Sequence, residues 1–162
     1  MKSFLLIICC FLALISKAQL KGFSLGPYAE MAWPTGDFKT THKTGVGAGL
    51  GADIRLGKLG ITGSVGYMHF PGTSSSSPEG NFKNPALAAV PLRAGIKFRP
   101  IPLLYFKVEG GAANLTKDRG TAFIFAPGVG LRLLGLDLQA KYETWRKDEN
   151  LSFWALKLGY NF

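Results

Sequence analysis

The side chains that could carry chemistry are few, and they fall near two connecting segments. His42 lies in the first segment, and His69 comes just before the second, which contains the serine run Ser74–Ser77 and Glu79. A histidine, a serine and a carboxylate can act as base, nucleophile and orienting acid in acyl transfer or deacylation. A serine run before proline is typical of a flexible spacer, however, whereas a nucleophile must be held rigidly against its base. We therefore assign no catalytic residue and keep lipid-acyl chemistry as an alternative.

Composition argues against several other kinds of site. Cys9 and Cys10 both lie in the apolar N-terminal segment, so the mature chain has no thiolate, and two histidines supply too few metal ligands. We predict no metal and no cofactor. The formal net charge is +9, and loss of the two lysines within residues 1–18 lowers it to +7. In a soluble domain this charge would suggest nucleic acid, but an exported chain meets the anionic lipid of a cell surface instead, and we predict no nucleic-acid partner.

The N-terminus predicts export. A short lysine-bearing segment precedes an unbroken apolar run, Phe4–Ile15, and Ser16 and Ala18 then place small residues three and one before a possible cut. The run is shorter than the roughly 20 residues that a permanent membrane helix needs. This arrangement is typical of a secretory signal. We expect residues 1–18 to be a signal peptide, with cleavage after Ala18 or Gln19.

Alternation with a period of two runs along the rest of the chain, and it predicts β-strands. No helix-length apolar stretch follows residue 18, so any membrane span must be a strand. Longer connections alternate with tight turns, which is the outer-membrane pattern of external loops and periplasmic turns. We predict one domain over residues 19–162, an all-β, eight-stranded antiparallel up-and-down transmembrane β-barrel. The expected strands are 22–33, 45–56, 59–70, 86–98, 103–113, 121–133, 136–144 and 151–162.

The polar face of these strands predicts the lining of a narrow lumen. It mixes glycine with isolated charges of both signs, whereas a water-facing shell would be more densely charged. Buried charges persist when they are paired and hydrogen-bonded, and we expect Lys157 to lie within reach of acids from neighbouring strands. The lumen should then be blocked, because eight strands leave only enough room for side chains. The predicted charge network consists of Glu30, Asp53, Arg55, Arg93, Lys97, Lys107, Glu109, Arg132, Asp137, Lys141, Glu143 and Lys157.

Aromatic residues near the strand ends predict two girdles at the membrane interfaces. The outer girdle is expected to contain Trp33, Phe70, Trp145 and Trp154, and the inner girdle Phe23, Phe98, Tyr105, Tyr160 and Phe162.

The last predicted strand carries the most specific pattern. Trp154, Leu156, Leu158, Tyr160 and Phe162 alternate with small or polar residues, and Phe162 is the last residue. This segment resembles the C-terminal assembly signal of outer-membrane barrels. The mature chain as a whole resembles the outer membrane protein β-barrel domain family, a Bacteroidota-type "porin family", and small OmpX- and OmpA-type barrels.

The resemblance implies a multi-pass protein of the Gram-negative outer membrane. It also implies insertion by the barrel assembly machinery with help from periplasmic chaperones, and we expect a monomer. We predict a structural, interaction or envelope-integrity role; the alternatives are a lipid A-modifying acyltransferase or deacylase that uses a rim histidine and a loop serine, and a small pore. Basic residues of the external loops are candidate contacts to lipopolysaccharide phosphates: Lys117, Arg119, Arg146 and Lys147.

The terminal pattern generates the first prediction. Deletion of Phe162 should reduce the amount of folded protein recovered in outer membranes of cells, because the recognised end of the strand is lost. The measurement is fractionation followed by gels of unheated and heated samples, with Lys157→Ala as a control that should alter stability but not insertion. Unchanged insertion of the deletion variant would show that the terminal pattern is a coincidence.

Overall fold

The strands form a closed antiparallel barrel. The computed structural model describes residues 22–77, 80–116, 120–147 and 150–162. Eight strands pair in sequence order around the barrel, and the last strand pairs with the first. Every pairing is antiparallel. The predicted eight-stranded up-and-down barrel is confirmed, while the expected signal peptide of residues 1–18 lies outside the described residues.

The strand bounds are close to the predicted ones. The barrel strands are β1 (Phe23–Thr35), β2 (Gly45–Leu56), β3 (Leu59–Phe70), β6 (Leu87–Phe98), β7 (Leu104–Leu115), β8 (Thr121–Leu133), β9 (Leu136–Arg146) and β10 (Asn150–Tyr160).

Two elements of the long connections differ from the expectation of plain loops. A short helix, α1 (Asp37–Thr41), follows β1, and a small hairpin of β4 (Ser74–Ser77) and β5 (Gly80–Lys83) lies between β3 and β6. The serine run is therefore a paired strand, not a flexible loop tip, because its backbone hydrogen-bonds to β5. None of the helices in the described ranges is long and apolar enough to cross a membrane.

The barrel has two distinct ends. At the turn end, strands are joined by residues 57–58, 99–103 and 134–135; at the loop end, they are joined by α1, the β4–β5 hairpin and the connections around residues 117 and 148. Leu134 and Gly135 both have positive φ, at 49° and 86°. Two such residues give a hairpin turn whose twist matches that of the flanking strands.

The alternation divides side chains between an apolar exterior and a polar interior. In β9, for example, Leu136 and Leu138 are exposed, whereas Asp137, Gln139 and Lys141 are buried. Large apolar residues are exposed on the barrel strands all around the barrel. This is the reverse of a soluble lipid-binding barrel, and it is the arrangement of barrels that face lipid.

The chain terminus contributes to closure. Phe162 lies just past β10, and its backbone N–H donates to the carbonyl of Leu25 in β1 at 3.0 Å. Its ring packs against that of Tyr160 with centroids 5.0 Å apart. All five residues of the predicted assembly signal are exposed on the exterior: Trp154, Leu156, Leu158, Tyr160 and Phe162.

Candidate functional site

The centre of the lumen holds a ring of two acids and two bases. Glu30 from β1, Arg93 from β6, and Lys141 and Glu143 from β9 converge there, with side chains that are 0% exposed. Arg93 donates from Nη2 to Glu30 at 3.2 Å, and from Nε and Nη2 to Glu143 at 3.1 and 2.8 Å. The Lys141 ammonium lies 2.8 Å from Glu30 Oε2 and 2.6 Å from Glu143 Oε2. Each acid is thus bridged by both bases, so the ring ties opposite walls of the barrel together.

A second ring of the same composition lies nearer the turn end. Lys97 lies 2.7 Å from Asp53 and 3.6 Å from Asp137. Arg132 pairs with the same two carboxylates, donating from Nε to Asp137 at 2.8 Å. The Tyr105 hydroxyl donates to the other oxygen of Asp137. These five side chains come from β2, β6, β7, β8 and β9, so the ring again crosses the barrel.

The remaining predicted lumen residues lie in three different environments. Lys107 and Glu109 form an ion pair along β7 at 3.1 Å. Lys157 is buried, but among the described residues no carboxylate lies within 4.0 Å of its ammonium; the ammonium lies over the ring of Tyr28, 3.6 Å from the centroid. In the strand register Lys157 lies opposite Glu30 of β1, but it forms no ion pair with an acid of the described residues. Arg55 also differs from the prediction, because it is exposed at the turn end, where water is available, and donates to the carbonyl of Gly57 at 3.2 Å.

Glycines make room for the two lumen tyrosines. A Cβ on Gly66 would overlap the hydroxyl of Tyr28, and a Cβ on Gly130 would overlap the ring of Tyr105. A narrow barrel can hold long side chains only if neighbouring positions are small. Gly66 and Gly130 are therefore required by the two tyrosine side chains that cross the lumen.

Above the central ring, the loop end is closed by an aromatic plug of four side chains: Phe38, Phe70, Trp145 and Phe153. All four are at most 1% exposed. Their rings contact edge-on or tilted, with centroids 5.0 Å apart for Phe38–Phe70, 5.2 Å for Phe70–Phe153 and 5.4 Å for Trp145–Phe153. Phe38 comes from α1, so the short helix supplies the outermost part of the plug. The indole N–H of Trp145 donates to Glu143 at 2.5 Å and joins the plug to the central ring.

The aromatic plug was missed in the sequence, and part of the predicted girdles was wrong. Phe70, Trp145 and Tyr105 were expected at membrane interfaces, but they are buried inside the barrel. The sequence did contain a signal, because residues two apart on a strand point to the same face. Trp145 is two residues from Glu143, and Tyr105 is two residues from Lys107, so each lies on the polar face. Trp33 and Trp154 do lie outside, as do Phe98, Tyr160 and Phe162.

On the exterior near the loop end, the type of side chain changes from one row of residues to the next. Trp33, Trp154 and Tyr142 are paired in register across β1, β10 and β9, and the Trp154 and Tyr142 rings lie 5.1 Å apart. One row further out, three hydroxyl residues are linked: Thr35 Oγ1 donates to the carbonyl of Ser152 at 3.0 Å, and Thr144 Oγ1 lies 3.1 Å from Ser152 Oγ. The next outward position on β9 is Arg146, which is exposed. This order of aromatic, hydroxyl and cation matches the depth profile of a membrane interface.

The two histidines occupy different environments. His42 is buried, its Nδ1 shares a hydrogen bond with Thr41 at 2.9 Å, and its ring lies 4.9 Å from that of Phe38. It therefore belongs to the packing around α1, although it lies in a connecting segment. His69 is half-buried on the outer face of β3, next in alternation after Tyr67. Glu79 lies outside the described residues, and within those residues no cluster of acidic, imidazole or thiol groups suits a metal ion.

The four candidate lipid contacts are only partly described. Arg146 and Lys147 are exposed at the loop end of β9. Lys117 and Arg119 lie outside the described residues, so their contact with lipid stays a prediction.

Comparison with solved structures identifies the class of fold. A de novo designed transmembrane β-barrel is 19% identical with a TM-score of 0.58, over 89% of this chain and 98% of the design. The outer membrane protein Ail of Yersinia pestis, in a phospholipid bilayer nanodisc, is 18% identical with a TM-score of 0.57, over 88% of this chain and 100% of Ail. The N-terminal β-barrel domain of Pseudomonas aeruginosa OprF is 14% identical with a TM-score of 0.58, over 86% of this chain and 97% of that domain.

The chain therefore has the fold of small eight-stranded outer-membrane barrels. Identities this low establish the fold alone. No protein-family model matches the chain, and no curated protein matches it either.

The central ring generates a stability prediction. Arg93→Met should destabilise the barrel by about 3–5 kcal/mol, because it leaves two buried carboxylates to share the single cation of Lys141. The measurement is urea unfolding in detergent micelles or vesicles, followed by tryptophan fluorescence. Arg55→Met is the matched control, since Arg55 is exposed, and it should change stability by less than about 0.5 kcal/mol. Equal losses for the two variants would contradict the proposed importance of the ring.

Proposed function

We propose that this chain is a non-conducting barrel of the Gram-negative outer membrane, with a structural, interaction or envelope-integrity role. The observation that carries the proposal is the combination of an apolar exterior with an interior filled by paired charges and an aromatic plug. An apolar exterior is stable in contact with lipid. Closure of the barrel adds to this stability, because it leaves no strand edge with unpaired backbone groups.

Two layers of side chains in the lumen support the proposed absence of conduction. At the loop end, four aromatic rings pack edge to face and leave their side chains almost completely buried. Below them, the central ring of Glu30, Arg93, Lys141 and Glu143 is bridged in both directions. An ion crossing the barrel would have to displace both layers, and each is stabilised by contacts that water replaces poorly.

Non-conduction is tested in planar bilayers. The purified, folded protein should give no stepwise single-channel currents at voltages where the bilayer alone is stable, because the lumen has no continuous water path. Folding of the same sample is verified by the mobility shift between unheated and heated gels, so that silence is not due to unfolded protein. Discrete current steps whose frequency rises with the amount of protein added would overturn the proposal.

The interaction surface that we propose is the loop end, which the barrel holds outside the membrane. The row order on β9 supports this placement, since Tyr142 and Thr144 lie at the depth of the interface and Arg146 just beyond it. Arginine and lysine pair readily with phosphate oxygens. The anionic surface lipid, lipopolysaccharide, is therefore our candidate partner for Arg146, Lys147, Lys117 and Arg119.

Lipid contact is tested by charge reversal. Lys117→Glu combined with Arg119→Glu, or Arg146→Glu alone, should lower binding of lipopolysaccharide without preventing barrel assembly. The measurement is native mass spectrometry or a lipid overlay of folded protein. Lys58→Glu, which changes an exposed lysine at the opposite, turn end, is the matched control and should retain wild-type binding. Binding by the loop-end variants equal to that of the control would contradict the proposal.

The proposal that this chain is an outer-membrane barrel also implies a route of biogenesis. We propose export through the signal peptide of residues 1–18, insertion by the barrel assembly machinery through the terminal strand, and a monomeric final state. The terminal strand is also the basis for proposing a Bacteroidota-type, OmpX-like member of the barrel fold. The catalytic alternative is less well supported, because His69 lies on the lipid-facing side of β3 and His42 packs against Phe38.

A further inference from the structure

A small cavity lies in the lumen beside the ring of Asp53, Lys97, Arg132 and Asp137. Its volume is about 30 Å³, which is enough for a water molecule or a halide ion but not for a larger oxyanion. Four lining side chains matter for its chemistry: Lys157, Lys107, Gln139 and Tyr28. Asp53 and Asp137 also line it, together with the cations that pair with them.

Two hydrogen-bond donors of this lining have no acceptor. Lys157 is 8% exposed, and its ammonium has no carboxylate within 4.0 Å among the described residues; its contact is the ring face of Tyr28. Gln139 is 1% exposed, and its Nε2 has no hydrogen-bond partner in the described part of the chain. A buried donor without an acceptor is costly, and a buried cation without a counter-charge more so. The cavity therefore requires an acceptor.

The acids that line the cavity do not meet this requirement. Asp53 is shared by Lys97 and Arg132, and Asp137 by Arg132 and the Tyr105 hydroxyl. Both carboxylates are thus already engaged in the ring nearer the turn end, where Asp53 is also 3.7 Å from Arg99. Glu109 lies 3.1 Å from Lys107, does not line the cavity, and is more than 4.0 Å from the Lys157 ammonium.

The charge balance of the lumen also indicates that the cavity needs an acceptor. The lumen-facing groups in the described ranges comprise five carboxylates, Glu30, Asp53, Glu109, Asp137 and Glu143, and seven cations, Arg93, Lys97, Arg99, Lys107, Arg132, Lys141 and Lys157. Cations are therefore in excess, and Lys157 is the one among these seven that lacks an ion pair. An uncompensated charge in a low-dielectric interior is stabilised by a bound counter-ion.

We propose that the cavity beside Lys157 and Gln139 is a binding site for a small monovalent anion of halide size, such as chloride. The anion accepts a charge-assisted hydrogen bond from the Lys157 ammonium and a second hydrogen bond from the Gln139 amide, and it compensates the charge of Lys157. The cavity adjoins Gly26, Gly159 and Asn161 near the turn end, so the anion enters from that side. At anion concentration c, the site stabilises the folded barrel by RT ln(1 + c/Kd), so the stability rises with the logarithm of anion concentration above Kd, because the unfolded chain does not contain the site.

The first test compares anions at constant ionic strength. The midpoint temperature of the gel mobility shift is measured for the folded protein in sodium chloride and in sodium gluconate, whose anion is too large for the cavity. At chloride about tenfold above its dissociation constant, the midpoint should rise by about 3–6 °C. Equal midpoints in the two salts would overturn the proposal and would mean that water fills the cavity or that Lys157 relieves its charge by losing a proton.

Matched variants locate the effect. Lys157→Met removes the charge at similar length, and Gln139→Glu supplies a fixed carboxylate in place of the anion; both should lose the difference between chloride and gluconate. Lys58→Met, at an exposed turn-end lysine, should retain it. The readout is the difference between the two salts within each variant, so a variant that is less stable overall remains informative. Retention of the difference in Lys157→Met would assign the chloride effect to another part of the molecule and overturn the site.

A structural measurement gives an independent result. Crystals grown or soaked in sodium bromide should show an anomalous peak within hydrogen-bond distance of Lys157 Nζ. Absence of the peak there, in crystals that show bromide elsewhere, would overturn the proposal.

Discussion

A barrel of eight strands has an interior just wide enough for its own side chains, so any charge placed there leaves bulk water. That constraint explains why the lumen is built from pairs of acids bridged by pairs of bases. Glu30 and Glu143 share Arg93 and Lys141, and a second set repeats the arrangement towards the turn end. Each charge is compensated twice, which offsets a desolvation cost that a single pair would cover poorly.

The rings also link strands that are not neighbours in the sheet. β1, β6 and β9 are held together by the central ring, although backbone hydrogen bonds join none of these strands to each other. The same side chains thus occupy the lumen and fix the relative positions of opposite walls. The aromatic plug continues this function at the loop end, and the Trp145 indole connects the two layers through Glu143. Closure of the loop end therefore depends on the charged centre as well as on apolar packing.

The two ends of the barrel carry different groups. The turn end carries an exposed cation, Arg55, and a small cavity near Lys157, which has no ion-pair partner among the described residues. The loop end carries α1, a hairpin and an exterior graded from aromatic to hydroxyl to cationic side chains.

Period-two alternation was enough to predict the barrel, the strand count and the inward position of residues such as Glu109 and Lys141. Those features depend on which face of a strand a residue occupies, and that is a local property of the chain. Partners are not local, because the carboxylate that Arg93 reaches, and the lack of an ion pair at Lys157 within the described part of the chain, depend on strands far apart in sequence. The same holds for α1, whose five residues have little intrinsic stability and whose Phe38 packs against rings from two strands, β3 and β10. The sequence by itself therefore determined the fold and the facing of its side chains, whereas only the closed tertiary structure decided the pairing, because barrel closure sets the distances across the lumen.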